Sequence, residues 1–231
     1  MDFVLEGFLE AGRLVIRGDA EVFHAVFVTL VCSTSAVLLA AAIALPWGAW
    51  LGLARRDGRG LQVFLLRVGT FTPTVLVGLM VYALLSRQGI LGGLDLLYTK
   101  GAIILGEFLL ALPLVAVLTH GVVSALDPRV PETARTLGAG RLRVLLAVLG
   151  EARVGLVAAC LAGFARCLSE LGVVLLVGGN FRLETRTLAA QITLEVRRGE
   201  FGRGLAAGLI LMVLAVGAAL SAHHLSREAR T

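Results

Sequence analysis

From Val22 to Ala54 the chain carries no acidic or basic residue except His24. At about 1.5 Å per residue a helix through this run is longer than the roughly 30 Å hydrocarbon core of a bilayer. The pattern repeats. Leu61 to Ser86 is a second apolar run, with Arg67 near its start and Pro73 inside. Gly101 to His120 is a third, holding Glu107 and Pro113. Val154 to Gly178 is a fourth, holding Arg166 and Glu170, and Leu205 to Ala222 is a fifth. Only 16% of residues are charged and 58% are hydrophobic, whereas soluble domains carry about 25% charged residues. The bilayer is therefore the solvent, and the expected fold class is an all-α membrane protein with five transmembrane helices. Pro46 is expected to kink the first run or to end its regular part.

The segments between the runs are polar. RRDGRG at 55–60 marks a tight turn, 86–100 a short loop, 180–203 a long polar loop and HHLSREART a tail. At the start, Asp2, Glu6, Glu10, Arg13 and Arg17 recur at helical spacing, which predicts an amphipathic helix in the membrane interface over 1–20. The transmembrane domain then covers 21–231, with an inserted polar loop at 126–151. Asp2, Glu6 and Glu10 stand where a signal peptide would need basic residues. The net charge of +5 rests almost wholly on arginine, since Lys100 is the only lysine. The arginines bracket apolar runs, so they read as charge at a membrane surface and not as a nucleic-acid footprint. Five spans place the ends on opposite sides. The loops at 55–60, 127–153 and 223–231 hold ten basic residues, and the segments before residue 22, at 86–100 and at 180–203 hold nine. That balance sets no orientation.

Several chemistries are absent from the sequence. A phosphate-binding loop of an ATPase ends in Gly-Lys-Ser/Thr, and the sole lysine, Lys100, lies between Thr99 and Gly101. His120, His223 and His224 form no HExxH helix, and no serine has glycine two residues before it. Cys32, Cys160 and Cys167 all sit inside apolar runs with no CxxC, so they read as small buried hydrophobes. The expectation is a non-enzyme with no catalytic residue, no metal site and no cofactor of its own.

The most informative stretch is DPRVPETARTLGAGRLR, 127–143, a polar segment between two apolar ones. Asp127 can cap a helix whose first position is Pro128. Gly138 can stop that helix, and a second one can start at Ala139 with Leu142, Leu145, Leu146 and Leu149 as its apolar stripe. Periodicity alone leaves two readings open, a loop tethered to the membrane surface and a docking element.

ETARTLGAG resembles the EAA motif of permease subunits in ABC importers of the type I fold. Glu132, Thr133, Ala134 and Gly138 match, with Thr133 in place of one alanine. The family's later Leu-Pro is missing, and Leu149 and Gly150 stand near that place. SELGVVLLVGGNFRLETRTL, 169–188, is similar to the segment after the fourth core helix in the oxyanion branch, and the two stretches together look most like the tungstate permeases. This resemblance implies that Glu132, Thr133, Ala134, Arg135, Leu137, Gly138 and Ala139 couple to a separate ATPase on the cytoplasmic side. The N-terminus and the 180–203 loop would then face outwards. It also implies a homodimer, two ATPase subunits carrying ATP and Mg, an extracytoplasmic substrate-binding protein, surrounding lipid, and residence in the cell membrane. Molybdate and sulfate are the alternative substrates within the branch. From another class, a stand-alone anion carrier or channel would use Arg67, Glu107, Arg166 and Glu170 as intramembrane charges. Arg166 and Glu170 are four apart, so they form either a structural pair or part of an anion path. The outer loop carries five arginines against three glutamates, net +2. Asn180, Arg182 and Arg186 are its candidate mouth residues, and solvated charge is the plainer alternative.

Overall fold

A computed structural model describes residues 8, 9, 12, 13, 16–53 and 59–228. Most of the expected N-terminal helix, including Asp2, Glu6 and Glu10, lies outside the described residues. The elements in order are α1 (Ala20–Leu53), α2 (Gly60–Thr70), α3 (Thr74–Leu85), a 3-10 turn (Gly92–Leu94), α4 (Lys100–Ser124), α5 (Arg129–Thr136), α6 (Arg141–Glu151), α7 (Arg153–Leu168), α8 (Gly172–Gly178), α9 (Leu188–Arg198) and α10 (Phe201–Glu228). No strand occurs among the described residues. Among the described residues three helices are long and apolar enough to cross a membrane, Ala20–Leu53, Lys100–Ser124 and Phe201–Leu225. Two broken pairs, α2 with α3 and α6 with α7, raise the number to five if each is one span.

The helix boundaries follow local chemistry. Asp19 caps α1, its Oδ1 accepting from the backbone N–H of Glu21 at 3.0 Å and of Val22 at 3.2 Å. Pro46 does not end α1, for the helix runs on to Leu53. The expectation of an ending there is corrected: its apolar neighbours give the chain no better place to go. The second apolar run does break, at Phe71–Pro73, because a proline at the start of α3 disfavours helical backbone at the residue before it. The fourth run also breaks, at Ser169–Leu171, and is two helices instead of one. The long polar loop hides a further helix, α9. Thr187 caps it, accepting from Ala190 N–H at 3.4 Å, and Gly199 ends it in the left-handed region at φ +77°.

The chain folds as two compact units. The first takes Met1–Ala36, Pro73–Glu107 and Ala165–Gly217. Within it α3 and α8 lie so close that a Cβ on Gly78 would stand 3.0 Å from Val173 Cα, and one on Gly172 would stand 2.8 Å from Thr74 Oγ1. Ala25, Leu188 and Ala207 form a small core there. Thr29 Oγ1 ties α1 to α9 by accepting from Leu188 N–H at 2.9 Å.

The second unit takes Val37–Thr72, Phe108–Phe164 and Ala218–Thr231. Gly48 and Gly52 form a G-x-x-x-G pair on α1 facing α4. A Cβ on Gly48 would stand 2.5 Å from the Ala116 carbonyl oxygen, and one on Gly52 2.8 Å from Val123 Cβ. Small residues let two helix backbones approach where lipid offers no hydrophobic drive for association. Around this meeting of helices Ala44, Leu51, Leu66, Val115 and Ala116 pack together. Leu38 and Phe64 are more than half exposed, a surface that hydrocarbon would cover.

Candidate functional site

The polar segment is a helix pair in the second unit. Asp127 Oδ1 accepts from Arg129 N–H at 2.9 Å at the mouth of α5, and Pro128, its N-cap residue, already holds helical backbone at φ −53° and ψ −25°. It closes with two crossed bonds: Ala139 N–H donates to the Ala134 carbonyl and Gly138 N–H to the Arg135 carbonyl, both at 3.0 Å. That is a Schellman ending, with Gly138 at φ +82° supplying the left-handed residue. α9 closes the same way, with Glu200 N–H on the Glu195 carbonyl and Gly199 N–H on that of Val196.

α5 buries no residue. It is anchored beneath by Val130, which packs with Leu126 against the core of Ala49, Val123, Val148, Ala152 and Leu156. Glu132, Thr133, Arg135, Leu137 and Gly138 are exposed, and Ala134 and Ala139 are half-buried. The seven candidate coupling residues therefore lie together on one short helix and its turn. Leu137 is 82% exposed, an apolar side chain at the tip of a polar turn. α6 meets α7 at 74°. Its buried residues are Val144 and Val148, with Leu145 and Leu149 partly buried against the same core. Leu142 and Leu146 point outwards. The expected stripe is thus rotated, because Val144 and Val148 are the buried residues and Val148 is part of that core.

Arg166 and Glu170 also come together. Arg166 Nη1 lies 3.0 Å from Glu170 Oε2, while Glu170 Oε1 accepts from Val173 N–H at 3.0 Å. One carboxylate therefore holds the end of α7 and caps α8 across the break. Glu170 is almost wholly buried at 2%, but the Arg166 side chain is 37% exposed, so the pair is not fully enclosed. Of the other intramembrane charges, Arg67 is exposed and Glu107 is buried. Glu107 Oε2 has no hydrogen-bond partner among the described residues.

Arg182 and Arg186 converge on one acidic residue that the sequence does not single out, Glu21, and Asn180 holds Arg186 in place. Arg186 donates through Nε to Asn180 Oδ1 at 3.1 Å and places Nη1 3.5 Å from Glu21 Oε2, while Arg182 pairs with Glu21 Oε1. The Arg186 side chain is only 8% exposed, and burial lowers its pKa while Glu21 opposes the shift. The chain reaches this geometry through left-handed backbone at Gly179, Asn180 and Leu183. These residues form a clamp between the loop and the start of α1, which leaves little of Arg186 for a passing anion.

Comparison with known proteins agrees with this architecture. Residues 44–231 match the family model described as binding-protein-dependent transport system inner membrane component. The chain is 33% identical to the tungstate uptake system permease protein of Peptoclostridium acidaminophilum, over 93% of this chain and 94% of that one. It is 38% identical to a probable anion ABC transporter permease protein of Haloferax volcanii, over 87% and 90%. Among solved structures it resembles a chain of the MetNI methionine ABC transporter in an inward-facing conformation, with TM-score 0.61, 17% identity and coverage of 91% and 94%. That likeness is one of fold.

Proposed function

The chain belongs to the family of binding-protein-dependent transport system inner membrane components, and from that premise we propose that it is the membrane subunit of an ATP-driven importer of tungstate. The observation that carries the coupling role is α5, a capped and glycine-terminated polar helix with an apolar tip on an otherwise apolar multi-pass protein. A docking helix needs both parts. Its ends must be closed without help from the partner, and its exposed face must hold something for the partner to bury. Relatives named for tungstate and for an unspecified anion support an oxyanion as cargo.

In this reading two copies of the chain line a path, and two ATPase subunits, which hold ATP and Mg, grip the two α5 turns. ATP binding favours one packing of the helices and hydrolysis the other, so the nucleotide drives transport by its differential affinity for the two states. An extracytoplasmic binding protein delivers the anion. Arg166, its charge partly balanced by Glu170, offers an attractive but non-trapping group. In this reading hydrolysis falls to the ATPase subunits, because Lys100, the sole lysine of this chain, stands in no Gly-Lys-Ser/Thr loop.

The test is reconstitution of the full chain with its ATPase and binding protein in proteoliposomes, followed by uptake of tungstate, molybdate and sulfate at equal concentration. Tungstate uptake that needs ATP and exceeds the other two is expected. Uptake by the chain alone would show a stand-alone carrier, and preference for molybdate or sulfate would overturn the substrate.

A further inference from the structure

We propose that the first unit holds a transit site for a tetrahedral oxyanion where the start of α3 meets the start of α8, with Thr74, Arg166 and Ser169 as its donors. The site rests on the reading of the chain as an oxyanion importer and adds where in the chain the cargo is held.

Both helices begin at an interruption. The second apolar run breaks at Phe71–Pro73 and the fourth at Ser169–Leu171. The helices that follow the two breaks touch at their first residues. A Cβ on Gly172 would stand 2.8 Å from Thr74 Oγ1 and 3.2 Å from the Val75 backbone nitrogen. Irregular backbone at membrane depth is tolerated only where protein covers it or where it lines water. Its own chain does not cover the break after α7, for Ser169 is exposed and the Arg166 side chain is 37% exposed. Hydrocarbon is the wrong neighbour for a cation and a hydroxyl, which would both go unsatisfied there. That flank therefore faces water, and in a path between two copies it is the side that the cargo passes.

The donors suit the shape of the ligand. Arg166 gives Nη1 to Glu170 at 3.0 Å. Its Nε and Nη2 carry three more N–H groups in a flat fork, which fits two oxygens of one anion. Ser169 Oγ donates to the Arg166 carbonyl at 3.3 Å, a long bond for a hydroxyl and one that it can give up. The Thr74 hydroxyl adds a further direction. Donors spread in this way reward a tetrahedral oxyanion over a spherical halide. Glu170 opposes the anion, but its two oxygens are engaged by Arg166 and by Val173 N–H. Its charge keeps Arg166 from trapping the cargo.

The test uses the reconstituted complex with its ATPase and binding protein. In one form of the chain Cys32, Cys160 and Cys167 are replaced by alanine and Ser169→Cys is introduced. A charged methanethiosulfonate should label the new thiol, in the nucleotide-free or the ATP-bound state. Tungstate should slow that labelling severalfold, and chloride at equal ionic strength should not. In the otherwise native chain, Ser169→Ala and Thr74→Val should each lower the maximal rate of tungstate uptake per assembled complex roughly tenfold, the loss expected for a hydrogen bond to a charged group. The half-saturating concentration, which the binding protein sets, and the melting temperature should stay as they are. Arg166→Lys keeps a cation beside Glu170 but lacks the fork, and should lose uptake without losing assembly. A thiol that labels in neither state, labelling that tungstate leaves unchanged or that chloride slows equally, or undiminished uptake in Ser169→Ala and Thr74→Val would overturn the site. Failure of the importer reading looks different: the unaltered complex takes up no oxyanion, and the labelling still decides the site.

Discussion

Replacing Gly138 tests whether the α5 ending is the moving part of coupling. Gly138 has φ +82°, and a Cβ built there meets nothing within 4 Å. The cost of a side chain is therefore conformational and contains no clash. For an alanine in the left-handed region it is about 1–2 kcal/mol, or roughly five- to thirtyfold in the population of the intact turn. Valine, with its branched Cβ, should cost more. Gly140 is the internal control. It too meets nothing within 4 Å, but its φ is −69°. Alanine there gains about 0.4–1 kcal/mol from a stiffer unfolded chain and loses about as much at the helix start, where glycine caps better than alanine, so it should be close to neutral. Hydrogen exchange of the 134–141 peptide should quicken in Gly138→Ala, whose turn is held by amides bonded to Ala134 and Arg135, and stay unchanged in Gly140→Ala. ATP-driven uptake should fall in the first variant alone, with both proteins present in the membrane at equal amounts. If the two alanine variants behave alike, the left-handed turn is not what the ATPase grips.

Gly48→Val places a side chain 2.5 Å from a backbone oxygen of α4 and should cut the yield of folded protein severely, measured by size-exclusion after detergent extraction. Gly121→Ala, which meets nothing within 4 Å, should leave the yield unchanged, and equal losses would refute the close-packing argument. Arg166→Gln leaves the buried Glu170 carboxylate without its cation and should cost roughly 1–3 kcal/mol, read as a lower melting temperature that a second change, Glu170→Gln, partly restores. An unaltered melting temperature in the single variant would remove the structural role. For orientation, a cysteine at Leu137 should react with an impermeant maleimide only in opened cells and one at Glu184 in intact cells, and the reverse result would invert the topology.

The fold was legible where a residue type acts locally. The charge-free run from Val22 announces α1, Asp127 with Pro128 announces the start of α5, and Gly138 its end. It was less legible where a side chain decides through a partner far along the chain. Arg186 and Arg182 look like free mouth charges until Glu21, remote in sequence, is found to hold both. The α6 stripe was misplaced because Leu and Val are equally apolar to a periodicity count, and only tertiary packing, for Val148 the core it shares with Val123, selects Val144 and Val148 for burial. Two signals are present in the sequence that periodicity does not weigh. Thr187 and Gly199 bracket α9 with the same kind of cap and stop that identify α5, and the five residues from Gly48 to Gly52 are a G-x-x-x-G.

The break at Ser169–Leu171 illustrates why the site was harder to read than the fold. Hydropathy over Val154–Gly178 is that of one continuous span, and nothing in its composition asks for an interruption. The interruption comes from Glu170, whose buried carboxylate has two demands in hydrocarbon, a cation and a donor. Arg166 meets the first from within α7. The second is met only if the chain leaves the helix and turns Val173 N–H towards Oε1, which begins α8. A sequence reader who treats an intramembrane glutamate as an acceptor needing two partners, and then looks three residues ahead for an N–H free to serve, can expect such a break. The same question put to Glu107, buried in α4 with an Oε2 that lacks a partner among the described residues, marks it as the other intramembrane carboxylate whose demands its own helix does not meet.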